Sequence, residues 1–412
     1  MIADHRPRTR LRALIAVACS AALGAALLAG TVPVASASPS AAAPSGTSPQ
    51  DRHDQGNKVV GTFTNWSAYH PNRHIKNLHT SGAAGKLTHI RYFHGVVESR
   101  GCYPGDPDTD FGKYYSAEDS VDGVADSWQQ PGWGSVNQLR KLKRLYPRLK
   151  VVWSFTRWSW LEDLGESPDE ARRFARSCRA LVEDPRWGDV FDGIDIDWEY
   201  ANRGDESFRT LMSAMRAEFG GDLVTATIPG DAAPGGGIDA TDFAEAADDV
   251  DWFHVMTYQL YGRHETLGPT APHAPLRAYP GIPQRYATVD AAVRKLREQD
   301  VPARKLLLGI SFQGYGWRGV TRSAPGGGAA GPAWGTGNPG VDHYRVLRSL
   351  CPAGGRIAGT AYAHCGTDWW SYDTPDTVAE KVTYGKRQGL GGTFLWELAS
   401  DTPDGELMNA VR

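Results

Sequence analysis

The chain has 412 residues, with 44 basic and 47 acidic side chains and a formal net charge of −3, so it offers no cationic excess for binding nucleic-acid phosphates. Its five cysteines include no Cys-x-x-Cys spacing, which argues against a structural zinc site. The 14 tryptophans and 16 tyrosines suit stacking on sugar rings, but aromatics also fill cores, so composition alone decides little.

Residues 1–37 read as a secretory leader. Arg6, Arg8, Arg10 and Arg12 precede an alanine-rich apolar run from Ala13 to Gly30, and Ala35-Ser36-Ala37 offers a small-residue cleavage site. A retained anchor fits less well, because alanine is weakly hydrophobic and a Ser/Ala/Pro-rich stretch follows. Lipid attachment at Cys19 is disfavoured too, since most of the apolar run lies after it. Residues 38–57 read as a disordered linker. The expected product after removal of residues 1–37 is a secreted, extracellular protein, free of the membrane and monomeric, in which residues 58–412 have a length that suits one large barrel.

From residue 58 onward, short apolar runs alternate with amphipathic segments. Strands are expected near Val59–Thr64, His89–Gly95, Lys150–Phe155, Gly193–Tyr200, Leu223–Ile228, Phe253–Tyr258, Lys305–Phe312 and Gly392–Glu397. Leu139, Leu142 and Leu145 recur at helical spacing. Ser167-Pro168-Asp169-Glu170 has the form of a capping box opening a helix toward Val182, and Thr374-Pro375 opens another that Gly389 stops. Eight βα repeats predict a closed parallel (β/α)8 barrel. A doubly wound sheet would call for a glycine fingerprint that is missing. The segment 319–370, between the seventh and eighth strands, is too long for a barrel loop.

The fourth strand carries the chemistry. In Phe191-Asp192-Gly193-Ile194-Asp195-Ile196-Asp197-Trp198-Glu199-Tyr200, side chains two apart share a face, so Asp195, Asp197 and Glu199 line up about 6–7 Å apart. Folding gains nothing from such a row, and burying an uncompensated carboxylate costs several kcal/mol. Carboxyls that hold protons near neutral pH relieve the repulsion, which is what an acid catalyst needs. An exposed acidic edge or a hard-cation site is the rival reading, but cation sites take their oxygens from flexible loops. Asp192, Asp195 and Asp197 are expected to climb the inner face, with Glu199 at the rim, where barrel enzymes keep their active groups. Met256-Thr257-Tyr258-Gln259 and Leu395-Trp396-Glu397 close two other strands.

The run Asp192, Asp195, Asp197, Glu199 resembles the Asp-x-x-Asp-x-Asp-x-Glu signature of glycoside hydrolase family 18, the chitinases. The likeness extends over Lys58–Trp66, Leu87–Ile90, Lys305–Ile310 and Gly389–Glu397. It implies Glu199 as proton donor, Asp197 as the group orienting the substrate's acetamido, Asp195 sharing a proton with Asp197, and Tyr258 binding the acetamido oxygen. Trp396 would floor the sugar subsite, with Met256, Gln259, Trp158 and Phe63 as further substrate-binding residues. No metal and no organic cofactor is implied. The substrate would be chitin or chito-oligosaccharide, cleaved with retention and in endo fashion. An endo-β-N-acetylglucosaminidase acting on N-glycans, or an inactive lectin-like relative, would share the barrel. The segment 319–370 resembles a small α+β insertion that walls the cleft in such enzymes. Two departures stand out: Ser154-Phe155-Thr156-Arg157 replaces a Ser-x-Gly-Gly turn, and Gln259 replaces an aspartate. The even cysteine count after the leader suggests disulfides. Cys351 and Cys365, close together in a turn-rich segment, are expected to pair, leaving Cys102 with Cys178.

Overall fold

The computed structural model describes residues 57–98, 100–130, 132–156, 162–199, 205–262 and 265–411. The expected leader, nearly all of the linker, and Trp158 lie outside the described residues. Strand β1 spans Lys58–Thr64, β2 His89–Glu98, β3 Lys150–Thr156, β4 Gly193–Asp197, β5 Leu223–Pro229, β6 Trp252–Met256, β7 Leu306–Ser311 and β8 Gly392–Trp396. Each pairs in parallel with the next, and β8 pairs with β1 to close the ring. Residues Gly101–Pro104 add an antiparallel strand beside β2. The (β/α)8 barrel expected from the alternation of strands and helices is therefore the observed architecture.

Alternation along each strand sorts side chains into two populations. Val60, Trp252, Leu307 and Phe394 fill the lower barrel interior, while Ile90, Trp153, Ile194 and Ile196 face outward against the helical layer. Leu139 and Leu142 on helix Gly134–Leu145, and Phe174 and Cys178 on helix Pro168–Val182, complete that outer core. Burying an aliphatic or aromatic side chain contributes about 1.5–3 kcal/mol, so this belt is the main source of stability. Gly193 and Gly392 open β4 and β8 with φ of 154° and 153°. A Cβ at either would lie 2.0 Å from a neighbouring strand's carbonyl oxygen, so only glycine lets the strands approach there.

Two local expectations are corrected. Helix Pro168–Val182 begins without a side-chain cap from Ser167, and Glu170, the other half of the expected capping box, pairs with Arg100. By contrast, Thr374 is capped reciprocally, its N–H donating to Thr377 Oγ1 at 2.8 Å. Strand β4 ends at Asp197 rather than Tyr200, and the Trp198 N–H turns to Thr227 O at 2.8 Å.

Between β7 and β8 the chain builds a second, antiparallel sheet. Its order is Gly331–Pro332, Gln313–Arg318, Asp368–Tyr372, Thr360–Cys365, Gly355–Ile357, and Val341–His343 pairs on the other part of Gln313–Arg318. With helix Tyr344–Leu350 this makes an α+β unit that starts at Gln313, six residues before the expected 319, because the chain reverses directly after β7. Disulfides join Cys102 to Cys178 and Cys351 to Cys365. The first ties the β2 extension to helix Pro168–Val182 and the second closes the insertion.

The two bridges close loops of very different size, 76 and 14 residues. On chain entropy alone their removal costs about 4–5 and about 3 kcal/mol respectively. Denaturant unfolding of the Cys102→Ser/Cys178→Ser and Cys351→Ser/Cys365→Ser variants should therefore show the larger loss for the first pair. The opposite order would mean native-state contacts, not loop length, dominate.

Candidate active site

Asp195 sits at the centre of the barrel and is fully buried. Five donors from four other strands converge on it. Oδ2 accepts from Arg91 Nε at 2.8 Å, Ser154 Oγ at 2.7 Å and Thr227 Oγ1 at 3.1 Å. Oδ1 accepts from Thr225 Oγ1 at 2.7 Å and His254 Nδ1 at 3.0 Å. Trp252 Nε1–H donates to His254 Nε2 at 2.8 Å, which fixes the neutral tautomer with its proton on Nδ1, facing Asp195. Burial alone would raise the Asp195 carboxyl, but the Arg91 charge and His254 outweigh it and hold the group well below the usual carboxylate range. His254 is itself pushed down, first by burial and then by Arg91, and so stays neutral.

Asp197, one step up the same face, is environmentally different. Its Oδ2 accepts from Arg91 Nη2 at 2.6 Å, and its buried Oδ1 has no hydrogen-bond partner among the described residues. Burial pushes its carboxyl up to about 7; Arg91 opposes the rise, while Glu199 and Asp195 add to it. The shared proton that the resemblance implies has no direct carboxyl-to-carboxyl hydrogen bond to sit on, because Arg91 bridges the pair. Glu199 lies two residues past the strand end, half-buried at the mouth. Asp192 does not climb the inner face. It precedes the strand on the other side, accepting from Lys143 Nζ at 2.7 Å and the Val151 N–H at 2.8 Å, so it anchors β4 and not the site.

Above these groups opens a cleft of about 480 Å³, a size that accommodates small ligands. Asp197, Glu199, Tyr258, Met256, Gln259 and Trp396 all line it. Burial drives the Tyr258 hydroxyl far above its ordinary value, so it remains a donor. Gln259 adopts φ 52°, an uncommon conformation for a residue with a side chain and one often met at functional sites. Trp396 is half-buried, with its Nε1–H on Gln313 Oε1 at 3.1 Å, so the insertion steadies that ring. Trp66 and Phe93 stand edge-on to it at 6.4 and 5.3 Å between centroids. The insertion's Tyr315 and Asp342 wall the far side. Among the described residues no group of three or more His, Cys, Asp or Glu side chains could hold a metal ion.

One expected sugar contact is displaced. Phe63 is buried, stacked near Tyr92 at 6.3 Å, and belongs to the outer core. Strand parity is the reason: Val60 points inward, so Thr62 and Thr64 do too, and Phe63 faces the helices. Conversely, Arg91, His254, Ser154 and Trp66 went unread. Arg91 within His89–Glu98 and His254 within Trp252–Met256 are polar residues in apolar strands, a signal that each has a buried partner.

With this geometry in hand, the chain matches the model of "Glycosyl hydrolases family 18" over residues 58–401. The chain belongs to this family. It is 52% identical to "Chitinase 63" of Streptomyces plicatus over 362 residues, covering 85% of this chain and 59% of that protein. It is 52% identical to "Chitinase C" of Streptomyces lividans over 357 residues, 84% of this chain and 58% of that one. The chain thus spans somewhat under two thirds of these relatives' length. Among solved structures, the catalytic domain of psychrophilic chitinase B from Arthrobacter TAD20 superposes with a TM-score of 0.80 at 30% identity, covering 87% of this chain and 95% of that one.

Removing the Asp195 carboxylate would leave Arg91 buried with half its partners. Breaking one side of such a pair costs about 3–5 kcal/mol, so Asp195→Ala should lower the thermal midpoint by many degrees. An unchanged melting curve would contradict the network described.

Proposed function

We propose that the protein is a secreted chitinase that hydrolyses β-1,4 bonds between N-acetylglucosamine units, using the substrate's acetamido group as nucleophile. The observation that carries this reading is the buried Asp197 Oδ1, without a hydrogen-bond partner among the described residues, on a residue that lines the cleft two positions before Glu199. An unsatisfied buried acceptor costs about 1–3 kcal/mol, and an acetamido N–H would satisfy it. The Tyr258 hydroxyl, kept protonated by burial, can donate to the acetamido oxygen, and Trp396 offers its face to the sugar ring.

Catalysis follows in two steps. Below about pH 7 the free protein holds the proton on Asp197; with substrate bound it passes to Glu199, leaving Asp197 a carboxylate. Glu199 gives it to the glycosidic oxygen as the acetamido carbonyl oxygen attacks the anomeric carbon and the bond to the leaving sugar breaks. The cyclic oxazolinium carries positive charge that the Asp197 carboxylate, next to the acetamido nitrogen, stabilises. Water then attacks the anomeric carbon, Glu199 takes its proton, and the configuration is retained, a substrate-assisted route distinct from an enzyme nucleophile. No metal or organic cofactor enters these steps. The relatives named chitinases and the two disulfides, suited to an oxidising compartment, support the reading, as does the leader-like sequence.

Glu199→Gln should leave the circular dichroism spectrum intact and lower turnover of a chromogenic chitobioside by at least ~10²–10⁴-fold; near-normal turnover in a folded variant sinks the role. Asp197→Asn should cost far more activity than Asp192→Asn, and proton NMR of the first products should show the β anomer, whereas an initial α anomer would mean inversion by water. Colloidal chitin assayed beside a glycoprotein separates this reading from an N-glycan endoglycosidase.

The proton on the carboxylate ladder sets the pH response. Asp197's raised carboxyl keeps its proton up to about 7, and above that pH the ladder loses the proton that must reach the leaving group. The value of kcat/KM should therefore fall as pH rises through about 7. A profile flat from pH 6 to 9 would contradict this.

A further inference from the structure

Arg91 is an unusual occupant of the barrel interior. It is 1% exposed, rises from β2, and reaches past β3 to two carboxylates on β4. Its Nε meets Asp195 Oδ2 at 2.8 Å and its Nη2 meets Asp197 Oδ2 at 2.6 Å. The guanidinium carbon lies 4.7 Å from the Phe93 ring centroid and 5.5 Å from that of Phe394, so two aromatic rings restrict where the group can sit. A planar fork fixed in this way sets the relative position of both carboxyls, which a point charge such as lysine cannot do.

We propose that Arg91 is a positioning residue: its guanidinium clamps Asp195 to Asp197 and fixes Oδ1 as the Asp197 oxygen presented to the substrate. The inference rests on the reading of Asp197 as the acetamido partner. Stability is a poor alternative explanation, since a buried ion pair is often no better than apolar residues of similar volume. Two features of the site favour the positioning role. Among the described residues the Asp197 carboxyl has no other hydrogen bond, so without Arg91 it could rotate. Asp195, in contrast, keeps four donors from Ser154, Thr225, Thr227 and His254.

The clamp also bears on the proton. The charged and titratable groups around Arg91 are Asp195 and Asp197 on β4 with Glu199 beyond them, His94 on its own strand, His254 on β6 and Tyr258 past its end. The histidines are pushed down, first by burial and then by Arg91 itself, and remain neutral. Arg91 is therefore the cation that opposes proton retention by Asp197. Its loss should move the alkaline limb of kcat/KM upward.

The test compares wild type, Arg91→Met, Arg91→Lys and Arg140→Met on a chromogenic chitobioside, with kcat, KM and pH profiles for each. Arg140 is the control: it forms a similar fork on Asp189, at 2.6 and 2.7 Å, away from the cleft. Arg91→Met should lose kcat on the order of a hundredfold, as expected of a misplaced catalytic group, with KM changed far less and the alkaline limb shifted to higher pH. Arg91→Lys should recover part of the loss, and Arg140→Met should keep the wild-type profile. Should Arg91→Met fail to fold, Arg91→Lys decides alone, and wild-type kcat and pH profile in that variant overturn the proposal. Equal losses in the Arg91 and Arg140 variants with an unmoved limb would likewise assign Arg91 to structure only. Calorimetric binding of an N-acetylglucosamine-derived thiazoline separates the two levels. If wild type neither binds it nor turns over the chitobioside, the chitinase reading falls and this inference with it. If wild type and Arg91→Met bind it equally well, Arg91 does not position Asp197.

Discussion

A carboxylate in the middle of a barrel is stable only if the surrounding strands supply enough donors to replace water. For Asp195 they do so from four directions: Arg91 on β2, Ser154 on β3, Thr225 and Thr227 on β5, and His254 on β6. Isolated, such a group would cost several kcal/mol to bury; here the network keeps it charged. The closed ring of strands is what makes this solution available, because only closure brings β2 and β6 to the same point as β4. The apolar plug of Val60, Trp252, Leu307 and Phe394 beneath it excludes water and raises the strength of every polar contact above.

That fixed charge determines the behaviour of its neighbour. Asp197 is buried, shares Arg91 but lacks the other donors, and lies beside the carboxyls of Asp195 and Glu199, so it holds its proton up to about 7. Two aspartates on one strand thus take opposite roles through environment alone, the pattern by which carboxylate pairs divide acid and base work. The family signature supplies the row of carboxyls; the partners on other strands decide which of them is charged. The aromatic edge of Trp66, Phe93 and Trp396, and the inserted sheet behind Gln313, then shape the space above that row.

Much of this was legible from the sequence because it is local. The period-two ladder of Asp195, Asp197 and Glu199 follows from position within a strand, while Tyr258 and Trp396 stand at strand ends and are singled out by the family resemblance. The misreadings share a cause, namely parity or partnership. Phe63 lies one residue out of phase with Val60, which only the packed barrel reveals, and Asp192 falls before the strand, where Lys143 from a helix claims it. The box expected of Ser167 and Glu170 is not formed, and Glu170 pairs instead with the distant Arg100. Arg91 and His254 were visible as polar residues in apolar strands, but their common target depends on how eight strands close, information that no single segment contains.

The central claim is the division of charge between the two aspartates, and carbon-13 NMR of protein labelled at the aspartate carboxyl, assigned with Asp195→Asn and Asp197→Asn, reads it directly. The account predicts that the Asp195 resonance stays at its ionised position through the acidic range where exposed carboxylates titrate, while the Asp197 resonance moves with a midpoint near 7. Titration of Asp195 in the ordinary carboxylate range, or an Asp197 resonance already ionised at pH 5, would contradict it.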